Sequence, residues 1–339
     1  MIKIEDGLSK VYIICPANVA TGGPELLHQM AFQLNAMHIK AYMFYLPNHI
    51  ETPVHPYYEH YNIPFVQQVD NTSQNIVIVP EALANVIYDK RFSKMQKVIW
   101  WLSVDNYFAF IEDLVKRHQH KKTFKIKQLF NYYKIPTINH IAKQKKLFHL
   151  VQSEYARDFL KKNKITNIAY LSDYLGQAFL NKVELLEEKK RENKVLYNPK
   201  KGLEFTEEII KNAPHINFIP IQNLSPEEVS NLLSVSKVYI DFGNHPGKDR
   251  FPREAAISGC CILTNKRGSA NFHEDVPIDG EFKFVDQEEN IPNIIAKIEA
   301  CLNNFEQESI KFEPYRNWIT NEQQQFNTDL RNIFKKSSQ

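Results

Sequence analysis

The feature that most constrains this chain is a series of short, wholly apolar runs separated by amphipathic stretches at helical spacing. Residues 11–15 (VYIIC) form the first run. Residues 24–37 follow, with Leu26, Leu27, Met30 and Leu34 spaced as one helical face. An apolar run without polar alternation reads as a strand covered on both faces, as parallel sheets require. The same reading places strands at 41–46, 75–79, 97–102, 147–152 and 168–171, and a helix at Glu154–Lys162. Strands alternating with helices imply a parallel sheet with helices on both sides.

The pattern then restarts. Residues 184–193 are charge-rich, Gly-free and without apolar periodicity, as a connecting segment would be. Beyond them, strands at 194–197, Asn217–Pro220, 238–242 and 261–264 alternate with helices at 205–212, 225–235, 252–258 and Ile291–Asn303. Ser225, Pro226 and Glu228 spell a capping box at one helix start, and Gly259 stops another. An amphipathic, Gln/Asn-rich closing helix is expected over 315–334. The fold class predicted is α/β, with two doubly wound Rossmann-like domains facing across a cleft. The first covers 1–173, a linker 174–193, the second 194–312, and the closing helix 313–339. A length of 339 residues suits two domains at ~100–200 residues each. Ligands of open α/β sheets bind beyond the carboxyl ends of the strands.

Composition narrows the class. Hydrophobic residues make up 43% and charged residues 24%, ordinary for a packed protein, and a net charge of +3 names no partner. The first apolar run is short and follows acidic residues, so it reads as a strand and not as a secretory signal. No window approaches the ~20 apolar residues of a membrane helix. Cys15, Cys260, Cys261 and Cys301 lie in apolar surroundings without CxxC spacing, which suggests buried thiols in a reducing compartment. A cytoplasmic location is expected. No ligand set with metal spacing is visible, so neither metal nor cofactor is expected.

The richest chemistry lies in 239–265, YIDFGNHPGKDRFPREAAISGCCILTN. A strand runs into a loop carrying Lys248, Arg250 and Arg253, and the loop enters the 252–258 helix. Cations at a helix N-terminus oppose its dipole unless an anion is bound, and the unpaired N–H groups there suit a diphosphate. Gly243 and Gly247 permit close backbone approach. Glu254, in the first turn, could accept from a ribose hydroxyl.

Glu254-Ala255-Ala256, followed by Ser258-Gly259-Cys260 and an apolar strand, resembles the E-A-x-x-x-G-x-P-V segment of GT-B glycosyltransferases. In that fold the segment's helix holds the donor diphosphate and its Glu the ribose. Pro246 stands where the large retaining family carries a second Glu. The longer string HPGKDRxPREAA resembles a signature of bacterial polysaccharide-biosynthesis transferases. Three further positions fit the resemblance. Lys200-Lys201-Gly202 resembles the R-x-x-x-K-G turn, whose cations contact donor phosphates. Residues 220–225 match the place where the base is held through backbone groups, around Ile221 and Gln222. Thr21-Gly22-Gly23-Pro24-Glu25 resembles the N-terminal glycine loop at the cleft floor. Ser269, in Gly268-Ser269-Ala270, falls where donor-sugar contacts are often placed. The resemblance implies a nucleotide-sugar donor as substrate and catalysis without metal.

An inverting transferase needs a base for the acceptor hydroxyl. Glu25, His28 and Asp105 lie at strand ends of the first domain, with Asp105 preferred and His28 read as a packed core histidine. Residues 114–153 hold ten Lys/Arg and no Asp or Glu, interleaved with Phe124, Phe130, Tyr132, Tyr133 and Phe148. Taking these ten from a net +3 leaves the rest of the chain at −7. Such a basic insertion could meet an anionic inner leaflet near a lipid-linked acceptor. It carries no nucleic-acid motif, and no nucleic-acid partner is expected. The expected function is sugar transfer from a nucleotide sugar to a glycan or lipid-linked acceptor in bacterial surface polysaccharide synthesis. The alternatives are a nucleotide-sugar epimerase on the same scaffold and a non-enzymatic sugar- or nucleic-acid-binding protein.

Overall fold

The computed structural model describes residues 2–119, 135–176, 179–180 and 190–335. The chain divides into two compact units, residues 1–173 with 326–339, and residues 174–325. Each has its own parallel sheet.

The first unit's sheet contains β1 (Lys10–Pro16), β2 (Lys40–Leu46), β3 (Ile76–Pro80), β4 (Gln96–Trp101), β5 (Phe148–Val151) and β6 (Ile168–Tyr170), in the order β2-β1-β3-β4-β5-β6. Every pairing is parallel. The apolar runs are the reason: Val11, Ile13, Ile14, Cys15 and the four residues 76–79 have no exposed surface. Helices α1 (Gly22–Ala36), α2 (Val104–Gln119), α3 (Ile138–Ala142) and α4 (Glu154–Lys162) connect the strands. The buried indoles of this core are satisfied. Trp100 Nε1 donates to Leu171 O at 3.1 Å, and Trp101 Nε1 to His149 Nδ1 at 3.0 Å. Burial holds the His149 imidazole down to about 4, so it accepts as a neutral ring.

The second unit's sheet contains β7 (Glu192–Tyr197), β8 (Asn217–Pro220), β9 (Ser236–Asp241), β10 (Cys261–Asn265) and β11 (Lys283–Phe284), in the order β11-β10-β9-β7-β8. Its helices are α5 (Leu203–Asn212), α6 (Pro226–Val235), α7 (Arg250–Ile257), α8 (Ile291–Asn303), α9 (Phe305–Ile310) and the larger part of α10 (Glu313–Ile333), whose residues from Phe326 on belong to the first unit. The capping box at α6 is present: Glu228 N–H donates to Ser225 Oγ, and Ser225 N–H donates to the Glu228 carboxylate at 2.7 Å. The four cysteines are buried thiols.

Two expectations change in detail. Much of the proposed linker, residues 181–189, lies outside the described residues. Its end belongs to the second unit, since Arg191 donates to the carbonyls of Leu233, Ser236 and Ser258. The basic segment 114–153 is not one insertion. It begins inside α2 and ends in the buried strand β5, because residues 148–151 supply an apolar run the sheet can cover. Lys116 and Arg117 pair with Glu112 and Asp113 one turn earlier. Lys121, Lys122, Phe124, Lys125, Lys127, Phe130, Tyr132, Tyr133 and Lys134 lie outside the described residues. Among the described residues, no helix is long and apolar enough to cross a membrane.

Candidate functional site

In the second unit β7 and β9 lie side by side, while β8 flanks one and β10 the other. The chain's connections diverge between them, which makes their carboxyl ends a topological switch point where a ligand can enter. Loops after β7, β9 and β10 meet there. Gly202 has φ +58°, and a Cβ on it would lie 2.1 Å from Phe242 O. Gly268 has φ +51°, and a Cβ there would lie 2.0 Å from His245 O. Both turns need glycine because a neighbouring backbone carbonyl fills the side-chain space. Ser269 donates from N–H to His245 O at 2.9 Å and from Oγ to Gly247 O at 2.6 Å, while Asn265 Nδ2 donates to Gly243 O at 2.8 Å.

These loops assemble a chain of charges. Lys201 Nζ lies 2.8 Å from Asp249 Oδ2, and His245 Nδ1 lies 3.1 Å from the same oxygen. His245 Nε2 lies 3.7 Å from Asp241 Oδ1. Tyr239 Oη and Gly243 N–H donate to the Asp241 carboxylate at 3.0 and 3.1 Å. His245 and Asp241 are buried, whereas the Lys201 side chain is 34% exposed. Burial alone would push the His245 imidazole down. Contact with Asp249 and the charges of Asp249 and Asp241 outweigh it and raise the imidazole above its usual value. Burial pushes Asp249 up, but His245 and Lys201 hold it below the usual range. Burial dominates at Asp241, whose carboxyl is raised despite His245. Asp249 is also the N-cap of α7, yet its side chain makes no capping bond, since it faces Lys201 and His245. The first-turn N–H groups of α7 therefore lack the usual side-chain acceptor.

The other expected phosphate cations of this loop are each paired with a carboxylate. Lys248 Nζ sits 2.7 Å from Glu322 Oε1 and 3.7 Å from the centre of the Trp318 ring. Arg253 NH1 lies 2.9 Å from Glu322 Oε2, and its other nitrogens donate to the carbonyls of Asp249 and Lys248. All three charged side chains are buried. The reason is α10, which covers this loop and brings Glu322 against both cations. Arg250 pairs with Glu254 at 3.1 Å along α7 and keeps 35% of its side chain exposed. Lys200 is exposed in a turn whose N–H donates to Asn198 Oδ1. The Ile221 N–H is bonded to Tyr197 O at 2.8 Å, and Gln222 is exposed. The Ser269 hydroxyl is likewise spent on loop closure.

In the first unit Gly22, Gly23 and Glu25 open α1, and Asp105 lies in the first turn of α2. Ser103 supplies the side-chain acceptor for Asn106 N–H, and Tyr155 Oη donates to Asp105 at 3.3 Å. His28 is the packed histidine expected. Its Nδ1 meets Pro24 O at 2.6 Å, its Nε2 meets Tyr45 Oη at 2.8 Å, and burial lowers it to about 4. The sequence reading missed Glu81, buried at the end of β3, whose carboxylate accepts from Leu102 N–H at 2.8 Å. Burial raises Glu81 to about 8 against the N–H groups of Leu102, Glu81 and Ser103. It missed Asp241, His245, Asp249 and Glu322 as well. Spacing of one residue in four (Asp241, His245, Asp249) was a readable signal, whereas Glu322 is too distant in sequence to give one.

No metal-binding set was expected from spacing, but folding creates a candidate. Asp241, His245 and Asp249 bring one potential ligand atom each within 4.8 Å of one another. The Lys201 ammonium already serves this group as its cation.

No protein-family profile matches the chain, and no curated protein matches it by sequence. Solved structures do. Anabaena HepE in complex with UDP superposes with a TM-score of 0.62 at 9% identity, covering 96% of this chain and 99% of that one. A glycosyltransferase from Rickettsia africae gives 0.62 at 13% identity, covering 98% and 100%. Sucrose-phosphate synthase from Thermosynechococcus elongatus gives 0.59 at 12%, covering 96% and 99%. The chain therefore has the GT-B glycosyltransferase fold: two doubly wound units with parallel sheets of six and five strands.

Proposed function

We propose that this chain is a glycosyltransferase that takes a sugar from a nucleoside diphosphate donor. The observation that carries this reading is Lys201. It is a partly exposed cation at the switch point of the second unit, beside a helix whose N-cap acid does not cap it. The donor diphosphate would lie against Lys201, Arg250 and the first turn of α7, where N–H groups and cations together favour an anion. Glu254 would release Arg250 and take the ribose hydroxyls. Lys200, Gly202, Ile221, Gln222 and Ser269 would border the nucleotide and sugar. Lys248 and Arg253 act as braces that hold the loop through Glu322. HepE bound to UDP, on the same fold, supports a uridine nucleotide as the first donor to try.

In the transfer, the acceptor oxygen bonds to the anomeric carbon as the bond from that carbon to the phosphate oxygen breaks. The acceptor proton passes to a base, with Asp105 the preferred carboxylate and Glu25 the second. The diphosphate leaves with its charge met by Lys201, Arg250 and the helix, which is electrostatic leaving-group catalysis. Gly22 and Gly23 would leave space near the acceptor. We further assign the acceptor to a glycan or lipid-linked glycan of bacterial surface polysaccharide synthesis. The protein would work in the cytoplasm, with the 114–153 cations touching an anionic inner leaflet.

Thermal unfolding with UDP, GDP, dTDP, CDP and CMP tests the donor reading. A nucleotide that binds only the folded state stabilises it by about 2.7 kcal/mol at a hundredfold excess over Kd. One diphosphate should stand out. No stabilisation by any of the five would remove the reading. Release of diphosphate only when a sugar acceptor is present would separate transfer from epimerisation.

A further inference from the structure

We infer that Tyr57 and the turn around it form a stacking platform for an uncharged sugar unit of the acceptor. The inference rests on the glycan-acceptor reading above and names the class of sugar: a pyranose without phosphate or carboxylate at the point of contact. Three observations carry it. First, this part of the chain is nearly without cations. From Val11 to Asp89 the single Lys or Arg is Lys40, against six acids. Lys40 opens β2 at its amino end and donates to Gly7 O at 2.7 Å, whereas ligands of such sheets bind at the carboxyl ends. The loops after β1 and β2, residues 17–21 and 47–75, hold no Lys or Arg. The second unit, by contrast, brings Lys201 and Arg250 to its carboxyl edge.

Second, Tyr57 is an open ring on a fixed backbone. It lies in a short 3-10 helix, Pro56–Tyr61, and keeps 66% of its surface exposed. Its N–H donates to His55 Nδ1 at 3.2 Å, and the two rings meet edge-on at 4.9 Å. Third, this turn is anchored to the loop after β1. The buried Tyr58 donates from Oη to Thr21 O at 2.9 Å and stacks on His28 at 4.4 Å, and Asn18 N–H donates to Pro53 O at 2.9 Å. A ring held from behind and open in front loses little freedom when a ligand covers it.

The chemistry of the surface selects the ligand. A pyranose carries C–H bonds on its faces and hydroxyls around its rim. The face of an aromatic ring is the negative part of its quadrupole and attracts those C–H groups. An anionic sugar would meet Glu51 and Glu59 in a loop that has no lysine or arginine to offset them. The same charges oppose an anionic lipid surface. The exposed Glu59 and His60 interrupt the apolar area that a protein partner would need.

The test uses the full chain without nucleotide. Saturation-transfer NMR with maltohexaose, cellohexaose and chitohexaose, and with hexagalacturonate as the anionic counterpart, reads both binding and the sugar protons that touch the protein. At least one neutral hexasaccharide should bind through its ring C–H protons, and hexagalacturonate should not. Tyr57→Ala should weaken that binding about tenfold, while Tyr57→Phe, which keeps the ring, should change it by less than about twofold. Both variants should melt with the wild type, since the ring is exposed. Binding of none of the neutral sugars, equally tight binding of hexagalacturonate, unchanged binding in Tyr57→Ala, or equal losses in the two variants each overturns the inference. Sugar binding that needs Tyr57 in a protein that transfers nothing would keep the platform and remove the transferase reading. Transfer to a neutral acceptor that Tyr57→Ala leaves untouched would do the reverse.

Discussion

Glu81 and Lys201 stand at equivalent edges of the two units and are treated in opposite ways. Both sheets place their first and third strands together, so each has a switch point. In the first unit the acidic residue there is sealed: Glu81 is 2% exposed and its carboxyl group closes on backbone N–H groups of the next loop. In the second unit the charges form a connected chain with a partly exposed lysine at its end. The histidines repeat the contrast. His28 is neutral, fixed by Pro24 O and Tyr45 Oη, whereas His245 lies between two carboxylates. An edge whose polar groups are all satisfied internally is a structural joint. An edge whose cation stays partly open to solvent can take an external acceptor. This is why the donor assignment rests on the second unit.

The largest effect that could break the comparison concerns the braces behind the second edge. Glu322→Ala would leave Lys248 and Arg253 buried without their carboxylate. Breaking a buried pair from one side costs about 3–5 kcal/mol. Chemical denaturation should show that loss. Replacing Lys248 by Met should cost less, since the remaining Arg253–Glu322 pair is still balanced and the chain can pack on Trp318. If Glu322→Ala is as stable as wild type, the two cations are not braces and become phosphate ligands again.

Acidification should separate the units next. His28 and His149 both titrate near 4 because they are buried, below the ordinary histidine value. A histidine lowered in the folded state lends nothing to lose at high pH. As pH falls below the unfolded value of about 6.5, the unfolded chain takes up protons that the folded one cannot. Stability then falls by about 2 kcal/mol per histidine on reaching about pH 5. Both lie in the first unit. The sign is opposite for His245: its raised value makes its contribution complete below about 6.5 and lost as pH rises through the folded value. Hydrogen exchange resolved by segment should therefore loosen residues 10–170 at about pH 5 while 192–265 stay protected. Equal loosening of both would show that the two histidine environments do not differ as described.

Lys201→Ala should act on binding rather than on folding. The ammonium is partly exposed, so its removal disturbs little packing, and His245 remains beside Asp249. A charged hydrogen bond to phosphate is worth about 1.5–3 kcal/mol, a loss of roughly ten- to a hundredfold in UDP affinity. Lys200→Ala, at the neighbouring exposed position, should change affinity by less than about 1 kcal/mol. Equal effects of the two would make the site a diffuse positive surface and remove the contrast with the sealed edge of the first unit.

Which parts of this were legible in the sequence follows from the range of the interactions. The apolar runs gave strand positions, because a doubly covered strand needs continuous apolar residues. The Ser225–Glu228 box gave a helix start, because capping acts over one turn. Gly202 was readable as a turn, although the carbonyl that demands it, Phe242 O, was not, and neither was His245 O beside Gly268. β11 was missed because it is two residues long and carries the polar Lys283. The cations proposed for phosphate could not be told apart for a similar reason. Lys248, Arg250 and Arg253 look alike in a local reading, and only Glu322, 69 residues after Arg253, distinguishes them. Glu81 had no local signal, since its partners lie on the next strand's loop.

The smallest expected effect is that of chelation, and it bears on the same cluster. Asp241, His245 and Asp249 could offer three ligands to a divalent ion. A bound ion would have to displace Lys201 from Asp249 and take the proton from His245, since an imidazole must be neutral to ligate. Two positive charges held by the protein would be exchanged for two on the metal, with no gain in charge. Asp241 would also have to share a carboxylate already taken by Tyr239 and Gly243. The cluster is therefore better satisfied by its own cations, and the proposed diphosphate would be left to Lys201, Arg250 and α7. UDP affinity and sugar transfer should be unchanged in EDTA, within a factor of about two. Adding manganese or magnesium should not shift the UDP-free melting temperature. If chelation abolishes transfer and manganese restores it, the exchange of cations runs the other way. The second edge is then a metal site in which Lys201 is only the resting occupant.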